Sequence, residues 1–248
     1  MAGHSKFANI MHRKGAQDKR RAQMFTKLGR EIQAAVKLGG ADPAGNPRLA
    51  RAMAAARAQS VPKDNIQRAI DRGSGASGET LHEIRYEGFG PSGVGIIVEC
   101  LTDNKNRSVG EVRTAFNRHE GSLGETGSVS FQFERLGEVR YGASVASEDA
   151  MLEAAIEAGA DACDSDEDGH VILCPYAALS EVAQALAKRF GDAAMARIIW
   201  HPQATMPVQG ETAQLVLKLV SALDELDDVQ AVYANFDISD EDIAALSD

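Results

Sequence analysis

The sequence is poor in cysteine, in aromatic residues and in long apolar runs. Its 248 residues include 3 cysteines and 1 tryptophan, and aromatic residues make up 5% of the chain. Cys100, Cys163 and Cys174 are widely spaced and form no CxxC pair, so neither a disulfide framework nor a zinc site is predicted. The longest apolar run, residues 94–100, is interrupted by a glycine and a glutamate. It is far shorter than the roughly 20 residues of a membrane-spanning helix.

Targeting signals and catalytic motifs are also absent. The first six residues have no apolar core of the kind found in a secretory signal, so we expect the chain to stay in the reducing cytoplasm, away from membranes. The six histidines show no HExxH or other metal-ligand spacing, and the sequence has no GxSxG or Walker A motif. We therefore predict no enzymatic activity, no cofactor and no metal site.

Two segments match part of a ligand-binding motif. Gly88–Gly93 fits GxGxxG, but it precedes a strand, and Pro91 removes an amide donor, so a turn or hairpin approach is favoured over a phosphate cradle. Asp164–Gly169 resembles the first half of an EF-hand loop. The twelfth position is Pro175 rather than glutamate, which favours an acidic helix-to-strand turn over a calcium site.

The charge of the chain is divided very unequally along its length. The net charge is -10, yet residues 1–72 contain 15 basic and 5 acidic residues, which gives +10. The remaining residues contain 11 basic and 31 acidic residues, which gives -20. This asymmetry indicates a basic nucleic-acid-binding segment on an acidic body whose own charge would repel phosphates.

Basic residues are densest between positions 13 and 30, where seven cations occur in eighteen positions with Asp18 as the only acid. Such density suits phosphate neutralisation, and the alternative interpretation is a solvated tail. Phe7 fits base stacking or packing on the helical domain equally well, and without a helix-turn-helix or RNP pattern we expect phosphate and shape contacts. The candidate nucleic-acid-binding residues are Lys6, Arg13, Lys14, Lys19, Arg20, Arg21, Lys27, Arg30, Lys63 and Arg68.

Apolar periodicity predicts three helices at the start of the chain. The first covers residues 16–38, the second opens at Pro47 with Asn46 as its N-cap, and the third runs from Pro62 to Gly73. The glycine- and serine-rich residues 73–78 are predicted to be a flexible linker. Residues 1–78 are therefore interpreted as a basic helical domain with an N-terminal arm.

Strands and helices alternate beyond residue 78. The patterns predict strands at 95–101, 128–133, 138–141, 170–173, 197–200 and 230–236, and helices at 109–117, 148–157, 179–190 and 212–223. The expected class is a multidomain α+β fold. An N-terminal helical domain is followed by one α+β domain from residues 79–135 plus 206–240 and by another, residues 136–205, inserted in it. Two α+β units in linear order are the alternative.

Several long motifs resemble the YebC/PmpR family across nearly the whole chain. They are Met1–Ile10, His12–Lys14, Phe25–Leu28, Asn46–Leu49, Pro62–Ile66, Tyr86–Pro91, Glu99–Asn104, Glu157–Asp161 and Asp227–Gln230. Phe7 replaces the usual tryptophan, and Gly15 follows the basic triplet, but neither departure removes a cation. The resemblance implies a three-domain cytoplasmic bacterial protein with a role in gene expression.

The family resemblance supports two nucleic-acid partners. Some members are described as DNA-binding transcriptional regulators, and others act on the ribosome, where they would contact ribosomal RNA and ease stalling at proline-rich stretches. A third interpretation is a protein-interaction module that uses the acidic domains. Residues 103–107 are a secondary contact candidate, and their alternative role is a loop with an N-cap at Asn106 or Ser108.

Overall fold

A computed structural model of the protein describes residues 17–76 and 81–239. The α-helices in these ranges are α1 (Gln17–Gly39), α2 (Pro47–Ala58), α3 (Lys63–Asp71), α4 (Lys105–Arg118), α5 (Glu148–Glu157), α6 (Leu179–Phe190) and α7 (Gly210–Asp224). The strands are β1 (His82–Phe89), β2 (Gly95–Thr102), β3 (Ser122–Leu123), β4 (Phe133–Gly142), β5 (Ala162–Asp166), β6 (Gly169–Pro175), β7 (Met195–Pro202), β8 (Met206–Pro207), β9 (Val229–Ala234) and β10 (Phe236–Asp237). The predicted fold class, a helical N-terminal region followed by sheet-containing domains, is confirmed.

The chain divides into two units. Of the described residues, the first unit contains 17–27, 81–134 and 200–239, and the second contains 28–76 and 135–199. The strands of the second four-stranded sheet, β4 to β7, all lie between β3 and β9 in sequence. The predicted three-domain boundaries at residues 78, 135 and 205 stay a prediction.

The first unit contains an antiparallel sheet in the order β3-β1-β2-β9. Alternate residues of β2, namely Ile96, Val98 and Cys100, are buried in one core with residues of α4 and α7 such as Phe116 and Leu219. The side chains of a strand point alternately to its two faces, which explains why every second residue of β2 enters this core. Strands β8 and β10 form a separate parallel pair.

The second unit contains the sheet β5-β6-β4-β7 and the helices α2, α3, α5 and α6. Val139 of β4 and Ile172 of β6 pack in one core with Met151 of α5 and Leu186 of α6. The polar side chain of Asn46 is buried at the start of α2, with its hydrogen bonds satisfied. Its Oδ1 accepts from the backbone amide of residue 49, and its Nδ2 donates to the carbonyls of residues 35 and 40. The predicted N-cap is therefore confirmed.

One predicted strand is wrong, and, besides the two-residue strands β3 and β8, two longer strands were missed. Residues 130–132 form a 3-10 turn, and β4 begins only at Phe133, although the alternation at 128–133 predicted a strand. The amides of Val129 and Ser130 donate to the buried Glu87 carboxylate instead of entering a sheet ladder. The longer missed strands are β1 and β5, whose polar residues obscured the period-two pattern.

Three turns can be compared with the sequence interpretation. Residues 88–93 follow the predicted hairpin approach, since β1 and β2 pair antiparallel across them. Asp166 turns the chain between strands β5 and β6 by accepting from the amides of residues 168 and 169, so the predicted helix-to-strand turn is a strand-to-strand turn. Residues 72–76 follow α3 directly and contain a kink at Gly75, whose φ is 104°, and the linker predicted at residues 73–78 stays a prediction. A Cβ on Gly73 would lie 2.7 Å from the carbonyl oxygen of Gln33.

Candidate nucleic-acid interface

The predicted site residues begin before the described part of the chain. Lys6, Arg13 and Lys14 lie outside the described residues, and Lys19 and Arg20 lie in the first turn of α1. These five positions remain a prediction from charge density. The described side chains begin at residue 21, so the geometry of the interface is built from there onward.

Lys27 of α1 is engaged by the C-terminal end of α7. Its Nζ donates to the backbone carbonyl of Asp224 at 2.9 Å and to the Oδ1 of the same residue at 2.8 Å. One turn earlier on α1, Gln23 donates to the carbonyl of Glu225 at 3.2 Å. A cation at the carbonyl end of a helix is favourable because that end carries a partial negative charge. The contacts therefore assign Lys27 a docking role between α1 and α7.

The other predicted cations of α1 differ in exposure. Arg21 is exposed, and its guanidinium lies 5.4 Å from the centre of the Phe25 ring, a cation–π contact that leaves the charge accessible to solvent. Arg30 is half-buried. The helix thus presents Arg21 to solvent more fully than Arg30 or Lys27.

Two arginines of α2 have structural partners. Arg48 makes a two-pronged ion pair with Glu31 of α1, with Nε to Oε1 at 2.7 Å and an Nη to Oε2 at 2.9 Å. Arg51 donates to the hydroxyl of Ser180 at 3.0 Å, and burial lowers its pKa from the ordinary value despite the opposing attraction of Glu31. Planar arginine forks suit such fixed contacts, so these two residues hold helices together.

Four cations between the end of α2 and the residue after α3 are exposed to solvent. We call Arg57, Lys63, Arg68 and Arg72 the basic α2–α3 segment. Arg68 is oriented along its own helix, because it donates to the Asp64 carbonyl and to the Asn65 side chain. Within the described residues, Arg57, Lys63 and Arg72 make no ion pair. Their exposed charges are available for an anionic ligand.

The acids of α3 limit how its surface can be used. Asp64 and Asp71 are exposed on the helix that carries Lys63 and Arg68, and the Oδ1 of Asp71 accepts from Gln67. The cations of the basic α2–α3 segment are accessible to anions, while the carboxylates of α3 would repel phosphates brought directly onto their side. A contact spread over separate phosphates fits this arrangement better than a helix inserted into a groove.

The predicted secondary contact at residues 103–107 is a structural network in the first unit. Asn104, rather than Asn106 or Ser108, caps α4 by accepting from the amide of residue 107. Arg107 donates to Asp228 through Nη2 at 2.8 Å and also to Asp103, and these bonds raise its pKa further above its ordinary value. Through these hydrogen bonds, the Arg107 guanidinium holds the start of α4 in place.

Buried Asp228 is the centre of that network. Its side chain accepts from the hydroxyl of Thr102 at 2.9 Å and from that of Ser108 at 2.6 Å, in addition to the Arg107 guanidinium. A buried carboxylate is stable when its oxygens are fully hydrogen-bonded, and here the donors come from β2 and α4. The network ties the end of β2, the start of α4 and the residue before β9 together.

Two further buried glutamates show that much of the negative charge in the sheets is structural. Desolvation tends to raise the pKa of Glu87, but hydrogen bonds from the amides of Val129 and Ser130, with help from Arg85, lower it overall. Burial likewise opposes ionisation of Glu138, yet Arg197 and Arg140 lower its pKa. Neither carboxylate is accessible to a ligand.

Arg57 and Arg72 were missed as individual site residues by the sequence interpretation, although they were counted in its charge balance. Arg57 lies in the last turn of α2, and Arg72 follows α3 directly. A cation near the end of a predicted helix was the available signal.

In residues 17–76 and 81–239, no cluster of histidine, cysteine and acidic side chains could hold a metal ion. No helix among these residues is both long and apolar enough to cross a membrane.

Known proteins resemble this chain over nearly its whole length. Residues 5–76 match the TACO1/YebC protein N-terminal domain, and residues 81–236 match the TACO1/YebC second and third domain. A probable transcriptional regulatory protein of Maricaulis maris (strain MCS10) is 55% identical over 252 residues, which cover 99% of this chain and 100% of that protein. The crystal structure of a conserved hypothetical protein from Aquifex aeolicus superposes with a TM-score of 0.87 at 44% identity, covering 92% of this chain and 94% of the other.

Proposed function

Because the chain belongs to the TACO1/YebC family, we propose that it is a nucleic-acid-binding regulator of gene expression, of the DNA-binding transcriptional type. The observation that carries the proposal is the basic α2–α3 segment, whose exposed cations continue a stretch of sequence already rich in lysine and arginine. The name of the Maricaulis maris relative, a probable transcriptional regulatory protein, supports the regulatory role.

The proposed mode of binding is electrostatic. Each lysine or arginine that neutralises a phosphate releases a condensed counterion, so affinity comes mainly from the number of such contacts. We assign these contacts to Lys6, Arg13, Lys14, Lys19, Arg20, Arg21, Arg30, Lys63 and Arg68, and we add Arg57 and Arg72. Lys27 contributes indirectly, because its contact with Asp224 holds α1 on α7.

A second candidate function is binding of ribosomal RNA as a translation factor that relieves stalling at proline-rich stretches. The carboxylates of Asp64 and Asp71 on α3 favour it, since a recognition helix in a DNA major groove would bring them close to the phosphates that border the groove. Folded RNA offers shape and phosphates to separate cations without such insertion. The same basic α2–α3 segment would serve either target.

The proposal includes no enzymatic step, cofactor or metal, and its partner is nucleic acid. We place the protein in the cytoplasm, which is supported by three free thiols at Cys100, Cys163 and Cys174. We also retain the three-domain division at residues 78, 135 and 205 as part of the proposal. In this arrangement the basic charge lies mainly in one domain and the acidic charge in the other two.

A salt titration of nucleic-acid binding tests the electrostatic mechanism. The double variant Lys63→Gln/Arg72→Gln removes two exposed cations of the basic α2–α3 segment. The control Lys188→Gln/Lys218→Gln removes two exposed cations of α6 and α7. The slope of log affinity against log salt should become shallower by about 1.4 to 1.8 in the first variant, because each phosphate contact contributes about 0.7 to 0.9. The control should keep the wild-type slope.

The proposal fails if the wild-type protein binds neither DNA nor RNA at low salt, or if both variants change the slope equally. Ultraviolet crosslinking in cells, followed by sequencing of the recovered DNA and RNA, then distinguishes the two targets. Recovery of discrete promoter DNA, lost in Lys63→Gln/Arg72→Gln, supports the transcriptional function. Recovery of ribosomal RNA at one location supports the translational function instead.

A further inference from the structure

The first unit has an open groove of about 570 Å³ between α4 and the C-terminal end of α7. Its apolar part is formed by Ala115, Ala222 and Leu226. Polar side chains surround this part, and they are Asn106, Arg107, Glu111, Thr114, Arg118 and His119. A small apolar floor surrounded by hydrogen-bonding groups is a combination found in sites that bind small organic groups.

Gly110 lies in the middle of this groove and has no packing role in the structure. It is in the interior of α4, with helical backbone, and a Cβ built on it would meet no atom within 4 Å. Glycine is the least favourable helix residue after proline, so a glycine here weakens α4 without fitting any close neighbour. The missing side chain leaves the backbone of α4 open in the middle of the groove, so a ligand can approach it closely.

Positive charge is concentrated on the same helix. The α+β part of the first unit, residues 81–134 and 200–239, contains six lysines and arginines, and four of them are in α4. Arg107 is held by Asp228 and Asp103, whereas the exposed Arg118 makes no ion pair within the described residues. Arg118 is thus the cation of the groove that is available to a phosphate.

The remaining polar groups fit a sugar and a base. Glu111 can accept a hydrogen bond from a ribose hydroxyl or from an exocyclic amine, and Asn106 can both donate and accept. A purely anionic ligand would be repelled by Glu111, but a ligand that combines one phosphate with hydrogen-bond donors and a flat ring would not. A nucleotide has all three features.

We propose that the groove between α4 and α7 binds an unpaired nucleotide of an RNA strand, with its base over Gly110 and its phosphate at Arg118. This inference rests on the second candidate function, RNA binding, since the strand is the one that the basic α2–α3 segment would bind. The groove would add a contact that recognises unpaired RNA. The rest of the proposed interface binds by neutralising phosphates. Only RNA has the ribose 2′-hydroxyl, which would donate a hydrogen bond to Glu111. This contact would therefore distinguish RNA from DNA in the groove.

The test compares Gly110→Phe, which fills the groove, with Gly110→Ala, which leaves it open. Both side chains start in empty space, so the folded structure should tolerate them, and thermal unfolding checks this. Binding is measured by fluorescence anisotropy with a single-stranded RNA, the same RNA annealed to its complement, and a single-stranded DNA of the same sequence.

We expect Gly110→Phe to weaken binding of the single-stranded RNA by about tenfold, because the phenyl ring fills the space of the base and removes the apolar contacts of the base in the groove. Binding of the duplex should stay within about twofold of the wild-type affinity, as should single-stranded RNA binding by Gly110→Ala, because neither case excludes a base from the groove. Arg118→Gln should weaken single-stranded RNA binding in the same direction as Gly110→Phe, with an unchanged melting temperature.

The inference is overturned if Gly110→Phe leaves binding of single-stranded RNA unchanged or weakens single-stranded and duplex RNA equally. It is also overturned if the wild type binds the single-stranded DNA as tightly as the RNA and loses both equally in Gly110→Phe. Failure of RNA binding as such shows differently, because the wild-type protein itself would then bind neither the single-stranded nor the duplex RNA.

Discussion

Charged residues serve opposite purposes in the basic α2–α3 segment and in the first sheet. In the segment, Arg57, Lys63 and Arg72 are exposed and make no ion pair within the described residues. Glu87 in β1 and Asp228 directly before β9 are 1% exposed, and each accepts several hydrogen bonds. Charge in the first region remains available for a ligand, whereas charge in the second is used to hold strands and turns together.

This difference shows that the net charge of a segment does not reveal which charges can bind a partner. Arg107 looked like a contact residue in the sequence, but Asp228 and Asp103 engage it. Lys27 looked like a phosphate ligand, but it binds the end of α7. A buried or paired charge costs stability when it is removed, and an exposed one costs little, so measured stabilities can separate the two groups.

The largest effect is expected from Asp228→Ala. The change leaves the hydroxyls of Thr102 and Ser108 and the Arg107 guanidinium without their shared acceptor. We expect the free energy of unfolding to fall by about 2 to 4 kcal/mol, as for other broken buried hydrogen-bonded pairs. Urea denaturation of the variant and of the wild type measures this loss of stability.

Asp103→Asn is the control for that experiment, because it removes only the exposed partner of Arg107. Its cost should be below about 1 kcal/mol. Equal losses in the two variants would show that the buried network has no special role.

A smaller effect with a pH dependence is expected from Glu87→Gln. At neutral pH the variant loses charge-assisted hydrogen bonds from Val129 and Ser130, at a cost of about 1 to 3 kcal/mol. The pKa of Glu87 is lowered in the folded protein, so the unfolded chain takes up this proton first as the pH falls. The stabilisation by Glu87 is therefore complete above the ordinary glutamate pKa and is lost as the pH falls toward the lowered value.

Unfolding free energies at neutral and acidic pH measure this dependence. The difference between wild type and Glu87→Gln should be largest at neutral pH and should shrink below about pH 4.3, the ordinary value for glutamate. A difference that stays constant or grows on acidification would contradict the assigned role of the carboxylate.

An intermediate case is Lys27→Gln. Lys27 forms an ion pair with Asp224. The Lys27 side chain is 19% exposed to solvent, and the Asp224 side chain is 60% exposed. We expect a cost of about 0.5 to 1 kcal/mol, because such pairs are partly screened by solvent. Thermal unfolding in low and high salt checks this, and the cost should decrease as salt is added. A cost that is independent of salt would mean that packing, rather than charge, accounts for the effect.

The smallest effect on stability is expected from Lys63→Gln/Arg72→Gln. Both side chains are exposed, so the free energy of unfolding should change by less than about 0.5 kcal/mol, while the affinity for nucleic acid falls. Denaturation and binding measured on the same preparation provide the comparison. A loss of stability as large as that of Lys27→Gln would move these residues into the structural group.

The regular helices were predictable from local pattern. The predictions for α5 and α6 agree with the observed helices at both ends, and Asn46 was identified as the N-cap of α2, because periodicity and capping act within a few residues. The strand predicted at residues 128–133 was wrong for a non-local reason. Its amides donate to Glu87, which is about forty residues away in the sequence and is brought close only by the fold.

The sequence by itself determined the fold class, most helix positions, the family and the opposite charges of the two parts of the chain. These properties depend on composition, on short-range periodicity and on motifs that can be recognised in one dimension. Only the tertiary structure decided which charges are used internally. Arg107 meets Asp228 from 121 positions away, and Lys27 meets Asp224 from 197 positions away. Such pairs depend on how strands and helices pack, so an ion pair and a free cation look the same in the sequence.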